Sequence, residues 1–270
     1  MYDVIIIGKG PAGIQAGLYT ARAKLKTLIL GKDSVLLKSK KVDNYCCTES
    51  QSGDELLNKG VQQVKSFGAE VKEELVVGIT KNNYFEVTTE RDLCQSKAII
   101  IASGQPAKRI PIDNIQRFEG MGVHYCSTCD GFFYDSAKVG ILGYTDYAIQ
   151  ELREMQEYTK DLILLTNGKE LDLSDRSRAF LEKSGVPIIT KKISSFEGVQ
   201  ALEHIKFEDG SMEDIQGVFF AYGTASSLDF ARKLGIMINS NVISTDKDQR
   251  TNIPGLFAAG DCTGGFKQIS

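Results

Sequence analysis

Two thiols two residues apart, followed at once by a carboxylate, make Cys126-Ser127-Thr128-Cys129-Asp130 the most chemically loaded stretch of the chain. Thiol–disulfide exchange needs such a pair. One sulfur attacks an external disulfide, the other resolves the mixed disulfide, and a local field can lower a thiol pKa to about 3.5–7.5. Asp130 is placed to manage the proton. Zinc is the competing use of Cys-x-x-Cys, but a structural zinc wants four ligands, and the chain has neither a second Cys-x-x-Cys nor a His pair to supply them. The run from His124 to Tyr134 is therefore read as a redox unit from which electrons would leave the protein.

A second motif suits a dinucleotide. Apolar residues 4–7 enter Gly8-Lys9-Gly10-Pro11-Ala12-Gly13 and then an Ala-rich segment to about residue 23, which reads as strand, G-x-G-x-x-G turn and helix. In that fingerprint the first glycine permits the tight turn and the second lets a pyrophosphate approach the backbone. The third lets helix and strand pack closely, and the helix N-terminus faces the anion. The next strand, 27–30, ends in Gly31, where an acid for the adenosine ribose would be expected; Asp33 follows two residues later.

The strand and turn recur at Lys138-Val139-Gly140-Ile141-Leu142-Gly143, but the continuation is Tyr144-Thr145-Asp146-Tyr147-Ala148. Thr145 puts a side chain where a second glycine would admit a pyrophosphate, and Asp146 is expected to cap its own helix and repel a phosphate. After the following strand, Thr166-Asn167-Gly168-Lys169-Glu170 holds no arginine cluster for a 2′-phosphate, and Arg176 and Arg178 read as solvated surface charges. This second anion site is expected to be closed.

These motifs need a scaffold, and 270 residues are long for one hydrophobic core, so two domains are expected. A composition 42% hydrophobic and 25% charged is that of an ordinary globular protein, and a net charge of -3 argues against general nucleic-acid binding. The longest apolar runs, residues 4–7 and 98–102, are strand-sized and far short of the roughly 20 residues of a membrane span. The first residues form a strand at once, with no secretory leader pattern, so a soluble, cytoplasmic protein is expected. In that compartment six cysteines read as catalytic or buried thiols, not as a disulfide scaffold. Cys46 and Cys47 are adjacent and would pair only with strain, so they read as unpaired loop thiols, and Cys94 as a small buried residue. A helix is expected from Gly53 to about Phe67, and a small antiparallel element with Asn82-Asn83 as its turn. Pro106 and Pro111 mark the exit from the strand at 98–102.

The last part returns through Thr251-Asn252-Ile253-Pro254-Gly255-Leu256-Phe257-Ala258-Ala259-Gly260-Asp261. Taken with residues 8–13, Ala102-Ser103-Gly104 and Cys126-Ser127-Thr128-Cys129-Asp130-Gly131-Phe132-Phe133, the chain resembles the low-molecular-weight thioredoxin reductases over essentially its whole length. The resemblance implies an α/β fold of two wound nucleotide-binding-type domains, the second inserted in the first. Residues 1–112 and 243–270 would bind FAD, and residues 113–242 would carry the cysteine pair and a degenerate NADPH site. FAD would be held through Gly8, Gly10, Pro11, Ala12 and Gly13, with Asn44, Gly104, Gly260 and Asp261. Cys129 would be the sulfur nearest the flavin, Cys126 the one that exchanges with thioredoxin, and Asp130 the acid. A homodimer is also implied. The altered turn and the missing basic cluster are similar to those of ferredoxin-dependent flavin thioredoxin reductases, so ferredoxin is the expected donor. NADPH, another flavoprotein as donor, and a non-catalytic flavin-binding redox sensor are the competing readings. The family places a helix after the Gly-Asp turn, and the sequence stops at Lys267-Gln268-Ile269-Ser270, where that helix would begin.

Overall fold

The computed structural model describes residues 1–46, 48–104, 110–264 and 269; Cys47, Pro106 and the ending at Lys267, Gln268 and Ser270 lie outside the described residues. The chain divides into two units, residues 1–106 with 226–270, and residues 107–225.

The first unit begins with β1 (Tyr2–Ile7), α1 (Pro11–Arg22) and β2 (Thr27–Leu30), followed by α2 (Gly53–Ser66), β3 (Glu70–Lys72), β4 (Val76–Lys81), β5 (Phe85–Thr89) and β6 (Leu93–Ile101). β1, β2 and the second half of β6 are nearly all Val, Ile and Leu, which suits parallel strands covered on both faces. The strand order is β3-β2-β1-β6-β5-β4, with β1 parallel to β2 and β6, and β4-β5-β6 antiparallel. Asn82 sits in the β4–β5 turn, its amide bonded to the Tyr84 carbonyl. Helix α2 starts at a capping box in which Ser52 and Glu55 satisfy each other's backbone amides, so its boundary is set by four local residues. Val4, Ile6, Ala21, Ile29, Val64 and Ala69 form the core between this sheet and its helices.

The second unit contains α3 (Ile115–Phe118), β7 (Val123–His124), the single-turn helix α4 (Ser127–Asp130), β8 (Val139–Leu142), α5 (Asp146–Met155), β9 (Leu162–Leu165), α6 (Asp175–Ser184) and β10 (Ile188–Ile189). It continues through β11 (Ile193–Glu197), β12 (His204–Phe207), β13 (Met212–Asp214) and β14 (Gly217–Phe220). An all-parallel sheet runs β10-β9-β8-β14-β7, and β11-β12-β13 form a small antiparallel sheet. The buried side chains Phe118, Val123, Leu142, Leu165, Phe196 and Val218 form one core that joins the two sheets. β7 and β8 flank β14, and this brings the cysteine stretch and the second glycine turn into one framework.

The chain then returns to the first unit with α7 (Ser227–Leu234), the short pair β15 (Ile238–Asn239) and β16 (Val242–Ile243), and β17 (Leu256–Ala258), which pairs in parallel with the end of β6. Residues 226–242 thus belong to the first unit, whereas the sequence boundary had put them in the inserted part: α7 packs against β4. No helix is long and apolar enough to cross a membrane among the described residues.

Candidate active site

The cysteine pair forms where β7 ends. Cys126 is the N-cap of α4, and its carbonyl accepts hydrogen bonds from the Cys129 and Asp130 amides, so the turn folds the two sulfurs together. They are joined in a disulfide with a Cα–Cα distance of 5.3 Å. Cys126 is 2% exposed, whereas Cys129 is exposed.

Asp130 is held by His124, itself bonded to Tyr134, two residues to which sequence alone assigns no role. Its Oδ2 lies 3.0 Å from His124 Nδ1, and His124 Nε2 lies 2.7 Å from the Tyr134 hydroxyl. The buried imidazole stacks on Phe219 with ring centroids 5.2 Å apart. Burial, and then the charge of Asp130, push the Tyr134 phenol up to about 12. Below the pair, Ser127 Oγ lies 2.6 Å from both Glu151 Oε2 and Glu154 Oε2, and the Ser127 amide donates to Glu151. Glu151 and Glu154 stand three residues apart on α5, a spacing that puts both on one helix face and was legible beforehand.

The first glycine turn is built by close approach. A Cβ on Gly13 would lie 1.9 Å from the Gly8 carbonyl oxygen, and one on Gly8, at φ +118°, 2.1 Å from that of Ala102. At Gly10 a Cβ would make only an ordinary contact, with Ser34 Oγ at 3.5 Å, so this side of the turn is uncrowded. Pro11 opens α1; no side chain caps the helix and no acid stands in its first turn, which leaves its N–H groups for an anion. Gly260 brings the Gly-Asp turn onto this helix start, since its Cβ would lie 2.7 Å from that of Ala12. Asp261 follows in the 3₁₀ turn Gly260–Thr263. Gly104 has a left-handed backbone with open space around it, and the buried hydroxyl of Ser103 has no hydrogen-bond partner among the described residues. An uncrowded Gly10, uncapped amides and an unsatisfied buried hydroxyl fit a dinucleotide cofactor. Asn44 is exposed on the β2–α2 loop. No acid could occupy position 31, because a Cβ there would lie 2.7 Å from the Lys9 amide nitrogen. Lys9 pairs instead with Glu73 at 2.5 Å, and Asp33 is exposed.

The second glycine turn is filled. Thr145 is 7% exposed and its hydroxyl donates to the Gly223 carbonyl. The Tyr144 carbonyl accepts from the Asp172 amide, and the Tyr144 ring meets Tyr222 edge-on at 5.0 Å. Asp146 is buried but does not cap its own helix as expected: its carboxylate accepts from the amide and hydroxyl of Ser174, the N-cap of α6. The two helix starts lie side by side and one carboxylate serves the second. Lys169, Glu170, Arg176 and Arg178 are exposed. Asn167 is bound to the backbone, its side-chain oxygen accepting from the Ile193 amide.

Of the remaining cysteines, Cys46 is exposed and Cys94 is buried. Cys262 is buried as well, its thiol donating to the Ile101 and Ala259 carbonyls.

The family described as pyridine nucleotide-disulphide oxidoreductase matches residues 2–270. The thioredoxin reductase of Aquifex aeolicus (strain VF5) is 34% identical over 275 residues, covering 97% of this chain and 85% of that protein. Among solved structures, the atypical thioredoxin reductase TRi from Desulfovibrio vulgaris Hildenborough superposes with a TM-score of 0.96 at 42% identity, over 100% of this chain and 92% of that one. A ferredoxin-flavin thioredoxin reductase from Clostridium acetobutylicum gives a TM-score of 0.71 at 27% identity, over 99% of this chain and 91% of that one.

Proposed function

The chain belongs to the pyridine nucleotide-disulphide oxidoreductase family as a flavin disulfide oxidoreductase of the thioredoxin reductase type, and on that premise we propose that it reduces thioredoxin with electrons from ferredoxin. FAD is its cofactor. When bound, FAD gathers single electrons and supplies them to the Cys126–Cys129 disulfide as a pair. The first unit would hold it: Gly10, Pro11, Ala12 and Gly13 at the pyrophosphate, Gly8 keeping the turn tight, and Asn44, Gly104, Gly260 and Asp261 around the remainder. The second unit would carry the cysteine pair and the filled turn.

In this reading Cys129 is the sulfur that receives the electron pair, and Cys126 attacks the thioredoxin disulfide. Cys129 then resolves the mixed disulfide, and Asp130 passes a proton to the departing sulfur. Cys126 is buried here, so it has to be uncovered before it meets a protein disulfide. Plant-type ferredoxins sit near -400 mV and thioredoxin near -270 mV, so delivery of a pair is downhill by about 6 kcal/mol.

The observation that carries the choice of donor is Thr145, whose side chain takes up the Gly223 carbonyl where a nucleotide pyrophosphate would need open backbone. The likeness to the Clostridium acetobutylicum enzyme points the same way. The reading extends to a cytoplasmic protein that forms a homodimer, the homodimer being what the family resemblance implies.

Anaerobic reduction of the holoenzyme tests it. Reduced ferredoxin should bleach the flavin and support thioredoxin reduction. Rapid, saturable bleaching by NADPH would overturn the donor, reduction only by another flavoprotein would replace ferredoxin with that protein, and failure of disulfide turnover with every donor would leave a redox sensor.

A further inference from the structure

We infer that His124 is a positioning residue for thiol–disulfide exchange, presenting an N–H to Asp130 whether the imidazole is neutral or charged because Tyr134 closes the other side of the ring. The inference rests on the role proposed above for Asp130 as the proton-handling group beside the cysteine pair.

The ring cannot turn freely. His124 is 7% exposed, stacked on Phe219, and met edge-on by Tyr134 with centroids 5.4 Å apart. Its two nitrogens reach Asp130 Oδ2 at 3.0 Å and the Tyr134 hydroxyl at 2.7 Å. Among the described residues the ionisable groups that meet the ring are Asp130 from α4 and Tyr134 from the 3₁₀ turn Gly131–Tyr134, while β14 offers only Phe219.

A neutral imidazole has one N–H to give. The Tyr134 phenol keeps its proton throughout the working range, so it can either donate or accept. With Asp130 ionised and the imidazole neutral, the phenol donates to Nε2 and the ring proton sits on Nδ1, facing Asp130. With the imidazole protonated, Nε2–H donates to the phenol oxygen and Nδ1–H still faces Asp130. Either way Oδ2 is fixed, and the carboxylate, 33% exposed, is left to act with its other oxygen. A hydrogen bond donated to a carboxylate favours its charged form, so loss of this N–H should be read in the pH dependence of exchange.

The reduced pair carries two electrons and two protons. Cys126 sulfur attacks one sulfur of the partner disulfide and expels the other, and Cys129 sulfur then attacks Cys126, re-forming the pair and expelling the second partner sulfur. The electrons and both protons end on the partner dithiol, and Asp130 takes a proton from an attacking thiol and returns it to a leaving sulfur.

The test uses holoenzyme reduced anaerobically with stoichiometric dithionite, so that it does not depend on the natural donor. The rate at which the reduced pair reacts with 5,5′-dithiobis(2-nitrobenzoate) is followed from about pH 5 to 9. His124→Phe keeps the stacked ring but has no N–H; its acid limb should move up by about one pH unit, a roughly tenfold rate loss one unit below the wild-type limb, with FAD content unchanged. His124→Asn can place an amide N–H near the former Nδ1 and should restore the limb. Tyr134→Phe removes control of the ring proton and should shift the limb in the same direction, which keeps the inference falsifiable if His124→Phe does not fold. Limbs in His124→Phe or Tyr134→Phe that coincide with wild type would overturn it. A wild-type pair that reacts with the small disulfide but never with thioredoxin would instead overturn the proposed substrate.

Discussion

The carboxylate of Asp146 accepts a hydrogen bond from the Ser174 amide at 3.1 Å and another from the Ser174 hydroxyl. Asp146 is the first residue of α5 and Ser174 the N-cap of α6, so one buried carboxylate anchors the start of the neighbouring helix. Hydrogen bonds to a charged acceptor contribute about 1.5–3 kcal/mol each, more than neutral ones. Asp146→Ala should therefore lower the unfolding free energy by about 2–4 kcal/mol, read from urea midpoints; a loss below about 0.5 kcal/mol would show the contact to be incidental.

Beside it, Thr145 fills the turn with its hydroxyl bond to Gly223. Wild-type holoenzyme titrated anaerobically with NADPH should show no saturable flavin bleaching. Thr145→Gly should acquire nucleotide binding, measured by nucleotide fluorescence, because the backbone is then open to a pyrophosphate. If the variant binds no better than wild type, the side chain is not the obstacle.

Glycines in the first turn should separate folding from cofactor binding. Gly13→Ala drives a methyl to 1.9 Å from the Gly8 carbonyl and should destabilise the fold by more than about 2 kcal/mol. Gly10→Ala puts its methyl in only an ordinary contact with Ser34 Oγ and should fold normally yet bind FAD at least about tenfold more weakly. Calorimetry and flavin titration check the two arms, and equal FAD affinity in Gly10→Ala would remove that residue from the site.

Serine in place of either Cys126 or Cys129 should abolish thioredoxin reduction while leaving about one FAD per chain, since the first glycine turn and the pair lie in different units. Flavin absorbance and thioredoxin turnover on the same samples decide it. Loss of activity on Cys46→Ser or Cys47→Ser instead would place the exchange elsewhere.

Burial raises the Cys262 thiol from its ordinary 9.0 to about 11. The native state keeps this proton where the unfolded chain has lost it, so the contribution is fully present below pH 9 and is lost as pH rises to about 11, roughly 2–3 kcal/mol in all. The stability difference between wild type and Cys262→Ala should shrink over that window in urea unfolding. Parallel curves across it would contradict the assignment.

What the sequence determined by itself was whatever rests on local sterics or short spacing. Gly8 and Gly13 are required by the turn they build, Cys126 and Cys129 by the reach of one helical turn, and helix α2 by its capping box; residues 4–7, 98–102 and 139–142 are apolar enough to be buried parallel strands. Thr145 was likewise legible as an obstruction, because a side chain occupies space whatever surrounds it. Only the tertiary structure decided where polar groups found their partners. Asp146 could have capped its own helix but is drawn to Ser174, because the turns after β8 and β9, adjacent parallel strands, bring the two helix starts together. Residues 226–242 join the first unit because α7 packs on β4. His124 gives no sign of its role in the sequence: Asp130 and Tyr134 lie within ten positions of it, but the plane of its ring is set by Phe219, which reaches it only because β14 pairs with β7. A hydrogen bond depends on the direction of two side chains, and direction is fixed by sheet order and packing, which no short spacing records.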